Sequence, residues 1–421
     1  MNKVISYLLI LLLIVTSYQS IFVEVSFLDE FILVAIILAF IINCFITKEK
    51  LLKKTLLNKA IIFTLLLYIG STLITLCINQ YETSAYLAEI FNNIKPLIIL
   101  LLFVNLQISQ EDIKKLMNSF LIINIPSLIF LLIDFIRFYI LNIRFYQGFQ
   151  QRYGLIRLEG LSGHPIQMGY ILMLIIVWIH YNYKRTNISR LILCLLVIMQ
   201  FLTFARLPFV FTLGYFAFYY CKAINSKLIK AMGVCIAAIV TTILITILIN
   251  NFFNVGLNYF ENEAENTIRL YSLSKAGEII KDNGFFGVGI GRFGDRASVL
   301  YNSDIYYKYS FRTDMIKFAF DKPGSMFESH LAKQIIETGI IGTLLFYGVF
   351  LILIINSKGS SGKKNPIFLL KYLTLVILLN SIFNPIYTIP LYLITCLLSS
   401  TEDNQTSYIK SRKDTNLSYV F

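Results

Sequence analysis

Uncharged apolar runs recur along almost the whole chain, and a single long hydrophilic stretch, residues 254–330, interrupts them. Runs such as residues 7–16 and 236–249 contain no charged side chain. A helix needs ~20 predominantly apolar residues to cross a bilayer. Hydrophobic residues fill 57% of the 421 positions and charged residues only 14%. A soluble domain of this length has no interior large enough to hide that much apolar surface, so lipid must be the solvent for most of it. The pattern predicts an all-α integral membrane protein with about twelve transmembrane helices and one large external loop. Spans are expected near residues 4–22, 28–46, 56–78, 94–108, 113–141, 165–182, 188–205, 207–222, 231–253, 331–356, 366–383 and 386–400. Pro126 falls inside the fifth and is expected to kink it, as buried membrane helices tolerate. The apolar N-terminal run lacks a small-x-small cleavage site, so it reads as an uncleaved first helix.

Charge orients these spans. The net charge is +13, which in a soluble chain would suggest nucleic acid. Here basic cytoplasmic loops account for it, and no nucleic-acid partner is expected. With the N-terminus inside, cytoplasmic segments and helix ends carry twenty-one Lys and Arg, from Lys3 and the 48–59 cluster to Lys410, Arg412 and Lys413. The short external segments carry six: Lys95, Arg137, Arg144, Arg152, Arg157 and Arg206. This positive-inside bias puts the long loop outside. The organisation expected is helices one to nine over residues 1–253, the external loop over 254–330, helices ten to twelve over 331–400 and a cytoplasmic tail over 401–421. The loop balances nine basic residues against ten acidic ones and is rich in Tyr and Phe. A disordered tether would have few aromatics, so a small folded cap is expected.

The six cysteines lie in or at the ends of apolar segments without a Cys-x-x-Cys pair, which supports neither a disulfide framework nor a thiolate metal site. Three histidines give no metal-ligand set. Gly287-Val288-Gly289-Ile290-Gly291 lacks the strand–turn–helix context of a dinucleotide site, and a close turn before Arg292 is the better account.

Five of the six external basic residues are arginines, which grip phosphate oxygens bidentately and stay charged in low dielectric. Arg206 lies between two apolar segments, where a cation is a functional candidate by default, although it could simply snorkel to the interface. Arg152, Arg157, Glu159 and His164 share a Gly-punctuated segment ending at Pro165, a favoured first residue for a helix. Its opening amides could hold an anion, and a polar re-entrant loop is the alternative. Ser329 reads as an N-cap for the helix that follows the loop. His330 and Glu337, seven apart, then share one face. A histidine at that boundary can act as a general base, or serve only as an interfacial cap residue. Glu337 lies deeper and needs a partner, for which an arginine such as Arg206 would suit.

In order and spacing around one large loop, these pieces resemble the O-antigen polymerase and O-antigen ligase superfamily, the Wzy-like membrane glycosyltransferases. The residues that carry the resemblance are Arg157 with Gly160-Leu161-Ser162-Gly163-His164-Pro165, Thr203-Phe204-Ala205-Arg206, Arg269, residues 283–293, and Ser329-His330 through Glu337-Thr338-Gly339-Ile340-Ile341-Gly342. It is strongest over 155–350. Family members usually have Ser or Gly beside the arginine where this chain has Ala205 and Leu207, and often Asn where it has Leu331. These departures leave polymerase and ligase both open. The resemblance implies a metal-independent, cofactor-free enzyme of the bacterial cytoplasmic membrane. It would move a growing glycan from undecaprenyl diphosphate onto a lipid-linked repeat unit, with an outward-facing site and, in some systems, a chain-length regulator as partner. The expected catalytic residues are His330 and Glu337. Arg157, Arg206, Arg269, Arg292, Arg152 and His164 are the expected substrate-binding set. A lipid-linked polysaccharide flippase is the reading from another class, disfavoured by the long loop and the lack of internal two-fold similarity.

Overall fold

The computed structural model describes residues 3–18, 28–48, 56–79, 82–106, 108–141, 151–152, 155–182, 186–223, 264–294, 296–311, 316, 329–356 and 366–383. The expected spans at 231–253 and 386–400, the tail at 401–421 and residues 254–263 of the hydrophilic interval lie outside them. Among the described residues the chain is all-α, apart from a two-residue antiparallel ladder between Gln151–Arg152 and Leu155–Ile156. Before the interval come α1 (Lys3–Ser17), α2 (Leu28–Thr47), α3 (Leu56–Asn79), α4 (Thr83–Asn105), α5 (Gln110–Phe135), α6 (Pro165–Asn182), α7 (Asn187–Leu202) and α8 (Arg206–Ala223). Within it lie α9 (Ala264–Asn283) and two short helices, α10 (Arg296–Leu300) and α11 (Ile305–Lys308). After it come α12 (His330–Asn356) and α13 (Pro366–Phe383).

Six of the described helices are long and apolar enough to cross a membrane: Glu30–Thr47, Asn58–Asn79, Thr83–Asn105, Glu111–Ile140, Pro165–Asn182 and His330–Ile355. Backbone amides find no partner in hydrocarbon, so a spanning segment must satisfy them internally, as a helix does. Large apolar side chains such as Phe31, Ile46, Leu66 and Ile188 are exposed on the outside of the bundle. In water they would form a costly patch; against lipid they are in their proper solvent. The protein is a helical membrane protein.

Local signals behave as the sequence leads one to expect at several termini. Pro165 opens α6, and the Ser329 hydroxyl accepts the Ala332 N–H at the head of α12 at 3.2 Å. Ser109 and Thr186 cap α5 and α7 in the same way. The fourth span is the main departure: instead of residues 94–108, the helix runs over Thr83–Asn105. Its extra turns carry Glu89 and Asn93, which hydropathy reads as a loop but which, like Lys95 in the next turn, are buried.

Helix α3 packs on α12 and α4, α12 on α13, α1 on α2 and α5, and α6 on α7 and α8. The ends of α3, α5 and α7 and the starts of α4, α6 and α8 gather at one end of the bundle. Helix α12 reaches that end at its break, where Gly339 lies against Phe285 and Gly287 beside the end of α3 at Asn79, while Gln334 and His330 lie deeper, beside Tyr68 of α3 and Phe346. Paired amides of Asn58 and Asn105, 2.7 Å apart, mark the opposite end. There too lies His180, enclosed by the rings of Tyr215, Phe216, Tyr219 and Tyr220 at centroid distances of 4.5 to 5.9 Å. Two close approaches fix the packing at the first end. A Cβ on Gly169 of α6 would lie 2.7 Å from the Ala205 methyl and 3.1 Å from the Pro208 ring, so only glycine fits at 169, opposite the turn that carries Arg206.

The hydrophilic interval is folded where it is described. Ala276, Ile279, Val288, Phe293, Val299, Ile305, Tyr306 and Phe311 form a core of their own that also takes in Ile336 of α12. Residues 284–294 dock the cap on the bundle. Gly339 breaks α12 with φ 67° and ψ −167°, and a Cβ there would lie 2.1 Å from the Phe285 carbonyl oxygen. At Gly291 a Cβ would meet the Ala85 carbonyl oxygen of α4 at 2.4 Å. Gly339→Ala and Gly291→Ala should each cost about 2 kcal/mol or more, through strain and forced separation. Gly348→Ala, where nothing lies within 4 Å of the added methyl, should be neutral or stabilising by ~0.5–1 kcal/mol. Thermal unfolding of the three variants in detergent checks this; equal midpoints would refute the close approach.

Candidate functional site

The head of α12 presents His330, Lys333, Gln334 and Glu337 at the i, i+3, i+4, i+7 spacing of one helix face. Lys333, Gln334 and Glu337 are engaged by another helix or by the cap, and His330 by the part of α12 beyond Gly339. Lys333 Nζ lies 3.5 Å from Glu89 Oε2 of α4 and 3.8 Å from Glu337 Oε2. The Gln334 amide donates to Asn93 Oδ1 at 2.7 Å, and its carbonyl oxygen accepts from the Tyr68 hydroxyl of α3 at 3.0 Å. His330 Nδ1 lies 2.9 Å from the Tyr347 hydroxyl, and its Nε2 faces Gln334 Nε2 at 3.5 Å. An amide nitrogen can only donate, so that contact is made when Nε2 bears the lone pair and Nδ1 carries the proton toward Tyr347. Phe346 lies against the ring at 5.1 Å between centroids. His330 is buried, with 7% of its surface exposed.

Glu337 is fully buried. Its Oε1 accepts from the backbone N–H of Gly291 at 2.7 Å, of Arg292 at 3.1 Å and of Phe293 at 3.2 Å. Donors converging in this way form an anion nest. The glycine-rich stretch thus does more than turn before Arg292: it cradles the protein's own carboxylate. The break at Gly339 frees the carbonyls of Ile336 and Glu337, which accept from Val288 and Gly289, each at 2.9 Å. On α3, Asn79 donates to the Gly287 and Val288 carbonyls and Thr75 to that of Phe286. Arg292 itself turns into the cap, bonded to the Val288 carbonyl at 3.2 Å and ion-paired with Asp304.

At the same end of the bundle, a second group forms between α5, α6 and the α7–α8 turn. Arg157 is buried, with 9% exposed, and its Nε donates to the Thr203 carbonyl at 3.1 Å. Leu158 N–H reaches Leu202 O at 3.2 Å. This stitches the 155–158 segment to the turn that starts α8 at Arg206. Thr203 Oγ1 accepts from Ala205 N–H, and Phe204 takes φ 51° to make that turn. Gly160, with φ +54°, sits on Ser127 of α5, whose hydroxyl accepts from Leu161 N–H. His164 accepts the Ile166 N–H on Nδ1 at 3.2 Å, so it caps α6 and uses one of the amides an anion would have taken. The Glu159 carboxyl is held above the usual carboxylate range, chiefly by burial and further by the charge of Asp134, against the opposing pull of Arg157.

The structure thus brings His330, Glu337 and the backbone of Arg292 into one group, and Arg157, His164 and Arg206 into another. The side chains of Arg152 and Arg269 lie outside the described residues. Lys333, Gln334, Glu89, Asn93 and Tyr68 were missed by sequence reasoning. Lys333 and Gln334 were within reach, since they complete the face that His330 and Glu337 define. Among the described residues no group of three or more His, Cys, Asp or Glu is placed to hold a metal ion. No family model matches the chain, and no curated protein matches it.

Lys333 sets the charge balance at the α12 head. Lys333→Met should destabilise the protein by about 3 kcal/mol, because removing one partner leaves buried carboxylates uncompensated. Adding Glu89→Gln to it should recover part of that loss, measured by thermal unfolding in detergent. Glu159 gives a pH signature. Its folded form holds a proton more tightly than the unfolded chain does, so the stability it contributes is present below the ordinary carboxylate range, at about pH 4, and falls as pH rises through the elevated native value. The wild-type melting temperature should drop more between acid and neutral pH than that of Glu159→Gln. Parallel profiles would count against the assignment.

Proposed function

We propose that this protein is a polymerase of a bacterial surface polysaccharide, whether O-antigen, capsule or exopolysaccharide, of the Wzy-like kind. It would transfer the growing glycan from undecaprenyl diphosphate onto the non-reducing end of a lipid-linked repeat unit. The observation that carries this reading is His330, which offers an acceptor nitrogen among the membrane helices, on the segment that turns back at Gly339, in the same bundle as Arg157 and Arg206. A lipid-linked substrate needs that combination, since its tail must lie along apolar helices while its diphosphate meets cations at their ends.

In this reading the acceptor hydroxyl gives its proton to His330 Nε2, displacing the Gln334 contact, as its oxygen bonds to the anomeric carbon. The bond from that carbon to the diphosphate oxygen breaks, and the diphosphate leaves on its carrier. Arg157 and Arg206 bear the charge that develops on the leaving group, with Arg292 and Arg269 contributing from the cap. Exposed Tyr301 and Tyr307 give the cap ring faces on which sugars can stack. On the charge bias, this reading sets the end that carries Arg157 and Arg206 outside the cytoplasm, with about twelve spans in the cytoplasmic membrane, the cap over 254–330 outside and the tail over 401–421 inside. A chain-length regulator would act on the assembled enzyme.

His330→Ala and Arg206→Ala should leave single repeats on the lipid carrier with no long polymer, while the protein stays in the membrane at normal level. Glycan length profiles of a deletion strain complemented with each variant make the measurement. Chains of normal length would sink the catalytic assignment. Accumulation of lipid-linked repeats on the cytoplasmic face would favour a transporter instead.

A further inference from the structure

The head of α12 holds an anion that belongs to the protein itself. Three consecutive amides, of Gly291, Arg292 and Phe293, converge on Glu337 Oε1 at 2.7 to 3.2 Å. They can do so because Gly287, Gly289 and Gly291 alternate in the positive-φ region, at 76°, 112° and 81°, which turns successive N–H groups inward. The same glutamate grips the segment a second time, its carbonyl accepting from Gly289 N–H at 2.9 Å. Its other oxygen faces Lys333, which in turn faces Glu89. A fully buried carboxylate is expensive, and this one sits in a receptor of the kind that elsewhere takes phosphate or a ligand carboxylate.

We propose that Glu337 is the resident anion of this receptor, a latch that clamps residues 287–294 onto α12 and thereby fixes Arg292. On the reading of the preceding section, Glu337 is then a positioning residue that acts through Arg292, and neither donates nor accepts the reacting proton. The latch itself does not depend on that reading. It makes the cap's seat on the membrane helices conditional on one carboxylate, and it makes that seat a site for small oxyanions once the carboxylate is gone.

The test uses the purified full-length protein in detergent, with trypsin cleavage at Arg292 and Lys308 as the readout of an open segment. Glu337→Ala should raise cleavage about tenfold or more, since proteolysis follows the open population when reclosing is fast. Sodium formate, a carboxylate small enough for the vacated space, should restore protection, and sodium chloride at equal concentration should not. Glu337→Gln keeps an oxygen for the three amides and should stay close to wild-type protection. The proposal is overturned if the alanine variant is as protected as wild-type, if formate and chloride act alike, or if the glutamine variant opens as far as alanine. Where the alanine variant fails to fold, the glutamine variant decides: protection upholds the latch and exposure overturns it. No substrate enters this assay. A working latch in a protein that makes no polymer would remove the functional reading and leave the latch standing.

Discussion

The carboxylate of Glu337 is the contact on which the seat of the cap on α12 depends. In hydrocarbon every backbone donor must be satisfied from within, and a broken helix at membrane depth survives only where other protein groups take up what the break releases. At Gly339 the break sets free the carbonyls of Ile336 and Glu337, and the cap segment accepts that offer with the amides of Val288 and Gly289. The glutamate then collects three further amides of the same segment, those of Gly291, Arg292 and Phe293. Helix break, glycine run and buried acid each look unfavourable alone. Together they satisfy one another.

That mutual dependence also explains what could be read in advance. Apolar length pointed to the six described helices that can cross a membrane, because lipid imposes one rule on every segment that crosses it. Pro165 and the Ser329 cap were legible because their chemistry is local, spanning three residues. The folded nature of the cap was legible from its aromatics, now seen as Phe293, Tyr306 and Phe311 packed together. The start of α4 was not. Glu89 and Asn93 read as loop residues until the partners that bury them are known, and Gln334, the partner of Asn93, is 241 positions away. Glu337 was legible as a buried acid in want of a partner. Its amide cradle was not, since three backbone N–H groups leave no signature in a side-chain sequence.

The two groups of polar residues differ in how they are held. His330, Gln334 and Lys333 are fixed by side chains of α3, α4 and α12. Arg157 is fixed by a main-chain carbonyl at a turn between helices. A guanidinium so tethered by Nε keeps its remaining donors aimed along one direction, which suits recognition of a planar or branched oxyanion. Arg292 is held in both ways, by the Val288 carbonyl and by the Asp304 carboxylate, and its own side chain is only 14% exposed.

Gly339 has a mechanical consequence as well. It makes α12 two rods with a joint between them rather than one continuous shaft. The first rod is bolted to the cap by five hydrogen bonds through Ile336 and Glu337 and to α4 through Lys333 and Gln334. The second rod rests against α13 along buried residues such as Phe346, Phe350, Leu369 and Leu373. Because His330 at the start of the first rod touches Phe346 and Tyr347 of the second, the joint turns the chain back on itself and the rods lie side by side. A load on the cap therefore enters the first rod and spreads both to α4 and, through His330, to the rod that packs on α13.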